Sequence, residues 1–161
     1  MRKPEEILKE ILSVRGIVTS EDISEFLSDK PRKTYDPFLL LNMEAGVDLL
    51  LSEIKLGTRI CIYGDYDADG VTSICILSHV LSMLTDDLTY YIPSRFEEGY
   101  GLNKEAIKKI HEDGVGLLVT VDCGSVSYEE VEYAKLLGMK VIVTDHHSID
   151  DIKADCLLIN P

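Results

Sequence analysis

Three clusters of carboxylate and imidazole side chains carry the chemistry this sequence could perform: Asp65, Asp67 and Asp69 in YGDYDADG, Asp122 in VTVDCGS, and Asp145, His146 and His147 in VIVTDHH. Crowded carboxylates repel and raise one another's pKa, and a divalent cation relieves that cost directly. A mixed set of oxygen and imidazole donors suits Mn²⁺, and suits Mg²⁺ less well because of the imidazole. More than one ion could be held, and a two-metal site stabilises both the attacking and leaving oxygens of a phosphoryl displacement. Taken singly, an Asp at a strand end also reads as a helix N-cap, and a His there as a structural residue. The recurrence at three places favours a shared site. DYDADG matches the first half of a calcium-binding EF-hand loop. That loop needs Glu at its twelfth position, where Ile76 stands here, and its flanks must both be helical.

The elements that must position these clusters are legible from residue 56 onward. Short apolar runs (RICIY, LTYYI, LLVTV, KVIVT, CLLI) alternate with amphipathic stretches, among them a helix from about Gly70 to Leu84, KEAIKKIHED and SYEEVEYAKLL. Ser127 and Glu130 form an S-x-x-E capping pattern for the last of these, and Gly138 is its stop. The β-α-β order predicts an α/β fold: a mostly parallel sheet of about five strands with helices on both faces. Parallel strands point the same way, so the three clusters fall along one edge, at the carboxyl ends of the strands, where ligands of open α/β sheets bind. Gly70 permits a sharp entry into the following helix, whose N-terminus, with Thr72 and Ser73, offers donors to an anion. Residues 1–55 read as an N-terminal helical segment acting as scaffold. Ser20 is a candidate N-cap, Pro31 and Pro37 mark a break, and an apolar helical pattern runs from Leu39 to Ile54.

Composition narrows the classes. The net charge of −13 argues against a nucleic-acid grip spread over the whole surface, yet leaves room for a local one built on bound metal. No apolar run approaches a membrane span and the charged start lacks a secretory h-region, so the expected compartment is cytoplasmic. Cys61, Cys75, Cys123 and Cys156 form no C-x-x-C pair and are expected to be buried free thiols.

These residues resemble the DHH phosphoesterase superfamily, which takes its name from the triplet present here at Asp145-His146-His147, and whose earlier motifs look like GDYDADG and VDCG. Within it, RFEEGYGL in IPSRFEEGYGLN, together with RGI at 15–17 and the final NP, resembles the RecJ-type exonucleases over nearly the whole chain. The resemblance implies a DHH α/β domain over 56–161 that is the front part of a longer protein. A further metal-binding Asp and a second, substrate-binding domain are expected beyond it, so that this part alone has an incomplete metal site and little activity. It implies Asp65, Asp67, Asp69, Asp122 and His146 as metal positions for Mn²⁺ or Mg²⁺, two ions in the complete enzyme. His147 would face the scissile phosphate, Asp145 would support the triplet, and Arg95 and Tyr100 would face the DNA strand. The activity implied is a 5′-to-3′ exonuclease on single-stranded DNA, serving repair and recombination alongside a single-strand-binding protein and a RecQ-type helicase. Two alternatives stay open: a DHH enzyme acting on pyrophosphate, a cyclic dinucleotide or a short oligonucleotide, and a non-catalytic metal-binding regulatory module.

Overall fold

Five short strands, β1 (Ile60–Gly64), β2 (Leu88–Tyr91), β3 (Leu117–Val121), β4 (Lys140–Thr144) and β5 (Leu157–Ile159), form one sheet in the order β2-β1-β3-β4-β5, every neighbouring pair parallel. The computed structural model describes residues 2–30, 34–149 and 153–161. All residues of β1 and β3 are buried, as strands covered on both faces must be, which is why they read as continuous apolar runs rather than alternating ones.

The period of two along each strand sorts these residues onto two faces. Ile60, Leu117, Val119, Ile142 and Ile159 meet Met43, Leu49, Leu50 and Ile54 of α3 (Met43–Lys55). On the same face Ile62 and Val121 pack with Ile74 and Leu81 of α4 (Ala68–Leu81). The opposite face, with Cys61, Tyr63, Leu118 and Val143, carries α5 (Lys104–Glu112) and α6 (Tyr128–Leu136) through Ala106, Ile107, Ile110, Val131 and Ala134. The expected helices on both faces are therefore present. At the amino edge of the sheet, Glu53 of α3 is buried yet charged. Its carboxylate takes a 2.6 Å contact from Lys140 Nζ and a 2.8 Å bond from the Thr58 hydroxyl. Burial raises the cost of that charge, but the Lys140 bond dominates and holds its pKa below the usual carboxylate value.

The chain divides at Asp36 into two compact units, so α3, read from sequence as part of a helical segment over 1–55, packs in the same unit as the sheet. The first unit contains α1 (Pro4–Val14) and α2 (Ser20–Phe26). RGI ends α1 with a Schellman stop. Gly16 adopts φ +74°, its N–H reaches Ser13 O, and the Ile17 N–H reaches Leu12 O. The cap of α2 is Thr19, whose side chain accepts from the Asp22 N–H, and not Ser20 as expected. The break at Pro37 is a 3₁₀ turn (Pro37–Leu39), whereas Pro31 lies outside the described residues. Ser127 does precede α6, but its side chain makes no capping bond. Of the thiols, Cys61 and Cys123 are buried, Cys156 is half-buried and Cys75 is exposed on α4, against expectation. Among the described residues no helix is long and apolar enough to cross a membrane.

Candidate metal centre

The loop after β1 turns into α4 with Asp67 as N-cap, its carboxylate accepting the Gly70 N–H at 3.0 Å. The turn is tight: a Cβ on Gly70 would stand 2.4 Å from Asp65 O and 2.7 Å from Asp65 N. That close approach seats the Asp65 side chain inside, 1% exposed, with Oδ1 buried and without a hydrogen-bond partner among the described residues. An orphaned buried carboxylate oxygen costs free energy unless something not present in the protein alone satisfies it. Asp67 and Asp69 are exposed, the latter in the first turn of α4. Thr72, expected to offer its hydroxyl to an anion, bonds back to Ala68 O at 2.7 Å.

Asp122 follows β3 with φ +60°, a left-handed conformation that Asp tolerates better than most residues and that recurs at functional sites. It is 8% exposed, and its Oδ1 lies 2.9 Å from His146 Nε2. Burial and then the nearby Asp67 charge push its carboxyl above the usual range, with the His146 imidazole acting in the opposite direction. This is the like-charge crowding that a cation would relieve.

After β4, Asp145 is 9% exposed and serves as an organising acceptor. It takes the backbone N–H groups of Ser125 (3.0 Å), His146 (2.7 Å) and His147 (3.2 Å), and His147 Nδ1 at 2.7 Å. Burial raises its pKa, yet these bonds, His147 first, outweigh burial and hold it down; the same bond raises the pKa of His147. With Nδ1 engaged, His147 presents Nε2 outward, 3.4 Å from the Tyr100 hydroxyl. A carboxylate that fixes the tautomer and direction of an imidazole is a common device of metal sites.

The three clusters therefore lie at the carboxyl edge, as parallel register requires. Ligand atoms of Asp122, His146 and His147 all lie within 4.8 Å of one another. The charge of Asp67 is felt at both Asp122 and His147. Asp65, Asp67 and Asp69 do not join that closest group. A cleft of about 290 Å³ opens beside it, lined by Asp122, Asp145, His146 and Ser73 with Met43 and Ile159. Arg95 and Tyr100 sit on the loop after β2. Arg95 stacks over the ring of Tyr66 at 5.4 Å, and Tyr100 meets His147 edge-on at 6.1 Å.

Sequence reasoning missed Tyr66, Ser125 and Asn160. Tyr66 ties the acidic loop to Arg95, while Asn160 Nδ2 bonds both the Ser125 hydroxyl and His147 O at 2.9 Å. The available signal for Asn160 was its place directly after β5, on the same edge.

Residues 59–161 match the family described as the DHH family, N-terminal domain. The chain is 41% identical over 152 residues to the single-stranded-DNA-specific exonuclease RecJ of Bacillus subtilis, covering 92% of this chain and 19% of that protein. It is 38% identical to the Escherichia coli protein of the same description, covering 96% of this chain and 26% of that one. A crystal structure of exonuclease RecJ bound to manganese superposes with a TM-score of 0.73 at 36% identity, covering 80% of this chain and 33% of that one. RecJ of Thermus thermophilus in complex with Mn²⁺ gives 0.67 at 31% identity, covering 93% of this chain and 20% of the other. The chain thus spans only about a fifth to a quarter of the length of these curated relatives.

Proposed function

Since the chain belongs to the DHH family, we propose that it supplies most of the metal-holding positions of a single-stranded-DNA exonuclease that cleaves phosphodiesters from the 5′ end. The observation that carries this reading is the meeting of Asp122, His146 and His147 within 4.8 Å at the strand-end edge. The donor set fits the ion: the unpartnered Asp65 Oδ1 and the mutually repelling Asp122 and Asp67 favour a divalent cation, and the imidazole favours Mn²⁺ over Mg²⁺. Asp65, Asp67, Asp69, Asp122 and His146 would hold it, two ions in the complete enzyme. When bound, the metal supplies charge neutralisation at the phosphate and a lowered pKa for water.

The chain's own residues do the rest. Asp145 fixes His147 by its Nδ1 and favours the protonated ring, whose Nε2–H would then donate to a phosphoryl oxygen. Arg95, backed by Tyr66, offers a guanidinium to a backbone phosphate, and Tyr100 offers a ring for a base. The −13 charge means that this part grips DNA locally, through metal and loop, and not through a basic surface. A cytoplasmic setting in repair and recombination, with a single-strand-binding protein and a RecQ-type helicase as partners, belongs to the same proposal and comes from the family.

The test is hydrolysis of 5′-labelled single-stranded DNA by the full-length protein with and without Mn²⁺. Loss of activity in Asp67→Ala and His146→Ala, with folding retained, is the expected result. Near-normal rates in either variant would show the metal positions to be wrong, and turnover of pyrophosphate or a cyclic dinucleotide in place of DNA would move the substrate.

A further inference from the structure

We propose that Tyr63, Tyr91 and Glu98 are positioning residues that clamp the loop after β2 and so hold Tyr100 against His147. The inference rests on reading that edge as the strand-cleaving site. Tyr63, next to last in β1, and Tyr91, last in β2, are register partners and stack with ring centroids 5.4 Å apart and planes 17° from parallel. Each hydroxyl reaches a different point of the loop. Tyr63, fully buried, donates to Gly101 O at 2.8 Å and accepts from Asn103 Nδ2 at 3.3 Å. Tyr91 donates to Glu98 Oε1 at 2.6 Å, and the other carboxylate oxygen accepts the Ser94 N–H at 2.7 Å. The Glu97, Glu98 and Gly99 N–H groups all turn back to Ser94 O, closing the loop on itself.

Tyr100 stands between the two anchored points, flanked by Gly99 at φ +81° and Gly101 at φ +77°, which make a turn that few other residues would adopt. The residue is 58% exposed and its hydroxyl faces His147 Nε2. Packing alone does not call for this arrangement. Phenylalanine would fill the same core space, and a buried hydroxyl is costly unless bonded. Here both hydroxyls and a half-buried carboxylate serve the loop that brings Tyr100 to the site. A loop freed from these bonds would visit the competent position only part of the time, and apparent affinity falls by that fraction.

The experiment compares Tyr91→Phe, Glu98→Ala and Glu98→Gln in the full-length protein. Tyr91→Phe keeps the ring stack, so it should fold, which circular dichroism checks. The first readout needs no catalysis: the nuclear Overhauser contact between the Tyr100 and His147 rings in selectively labelled protein. It should weaken in Tyr91→Phe and Glu98→Ala and largely persist in Glu98→Gln, which retains an acceptor for Ser94. The second readout is steady-state hydrolysis of a single-stranded oligodeoxynucleotide with Mn²⁺. KM should rise by about tenfold in the first two variants, with kcat within about twofold. An unchanged ring contact in both, or a lost contact with unchanged KM, overturns the proposal. A wild-type protein inactive on the oligonucleotide, whose ring contact still depends on Tyr91 and Glu98, would support the clamp while sinking the exonuclease reading.

Discussion

Replacing Gly70 by Ala sets two well-defined effects against each other. In an ordinary helix the change is favourable by about 1 kcal/mol, because Gly loses more backbone freedom on folding. Here the new methyl would meet the Asp65 backbone, with O at 2.4 Å, N at 2.7 Å and C at 2.8 Å. These are backbone atoms directly after a buried strand and cannot rotate aside as the tip of a side chain would. Overpacking of this kind costs roughly 1–3 kcal/mol, and a backbone contact belongs at the upper end. Subtracting the helix gain leaves a net loss of about 1–2 kcal/mol, which for a chain of this size lowers Tm by roughly 2–8 °C. The shift also moves Asp65 relative to Asp67, so Mn²⁺ affinity should fall more steeply than stability. Thermal unfolding followed by circular dichroism, with Mn²⁺ titration by calorimetry, measures both. A Gly70→Ala protein as stable as the wild type or more so, binding Mn²⁺ equally well, would refute the close approach and the seating of Asp65 that follows from it.

Other outcomes are equally specific. Because the folded-state pKa of Glu53 is depressed, its contribution is present above the unfolded carboxylate pKa and is lost as pH falls through the folded value; Glu53→Gln should therefore flatten the acid limb of stability, read by urea unfolding at several pH values. At neutral pH the same substitution should cost about 1–3 kcal/mol, since it leaves the bonds of Lys140 and Thr58 weakened at a buried position. Asp145→Asn should leave the fold near wild type but lower kcat at least tenfold, because a neutral amide replaces the charged carboxylate that anchors the His147 ring and favours its protonated form; a kcat within twofold would mean that His147 needs neither. Asn160→Ala should act in the same direction more weakly, by about two- to fivefold, and wild-type kinetics would remove it from the site.

The sheet was readable because β1, β3 and β4 are buried on both sides and so appear as unbroken apolar runs of strand length. Parallel alternation then placed Asp65, Asp122 and Asp145 on one edge without any coordinates. The readings that failed turn on one-residue phase or on distant partners. Thr19 and Ser20 are adjacent hydroxyl residues, and either could cap α2; backbone geometry chose the first. Cys75 sits in an apolar helix whose outer face is left exposed, so its neighbours in sequence suggested a burial that its neighbours in space do not provide. α3 was grouped with the helices before it because nothing local tells a helix that packs on a sheet from one that packs on other helices. The Tyr66–Arg95 and Ser125–Asn160 pairs join segments far apart in the chain, which periodicity cannot see.

The strand order also has a consequence for synthesis. β1 is made first among the strands yet lies inside the sheet, between β2 and β3. Ile60 must wait for Leu117 before its second edge is paired, and β3 in turn waits for Lys140. At ribosomal speed that leaves an apolar strand first unpaired and then half-paired for roughly 3–10 s in all. Parallel pairing of this range is intrinsically slow, and an unpaired apolar edge invites association with other chains. The nascent protein should therefore be most vulnerable to aggregation between the emergence of β2 and that of β3, and ribosome-arrested chains ending before residue 117 should be captured by holding chaperones far more than those ending after β4.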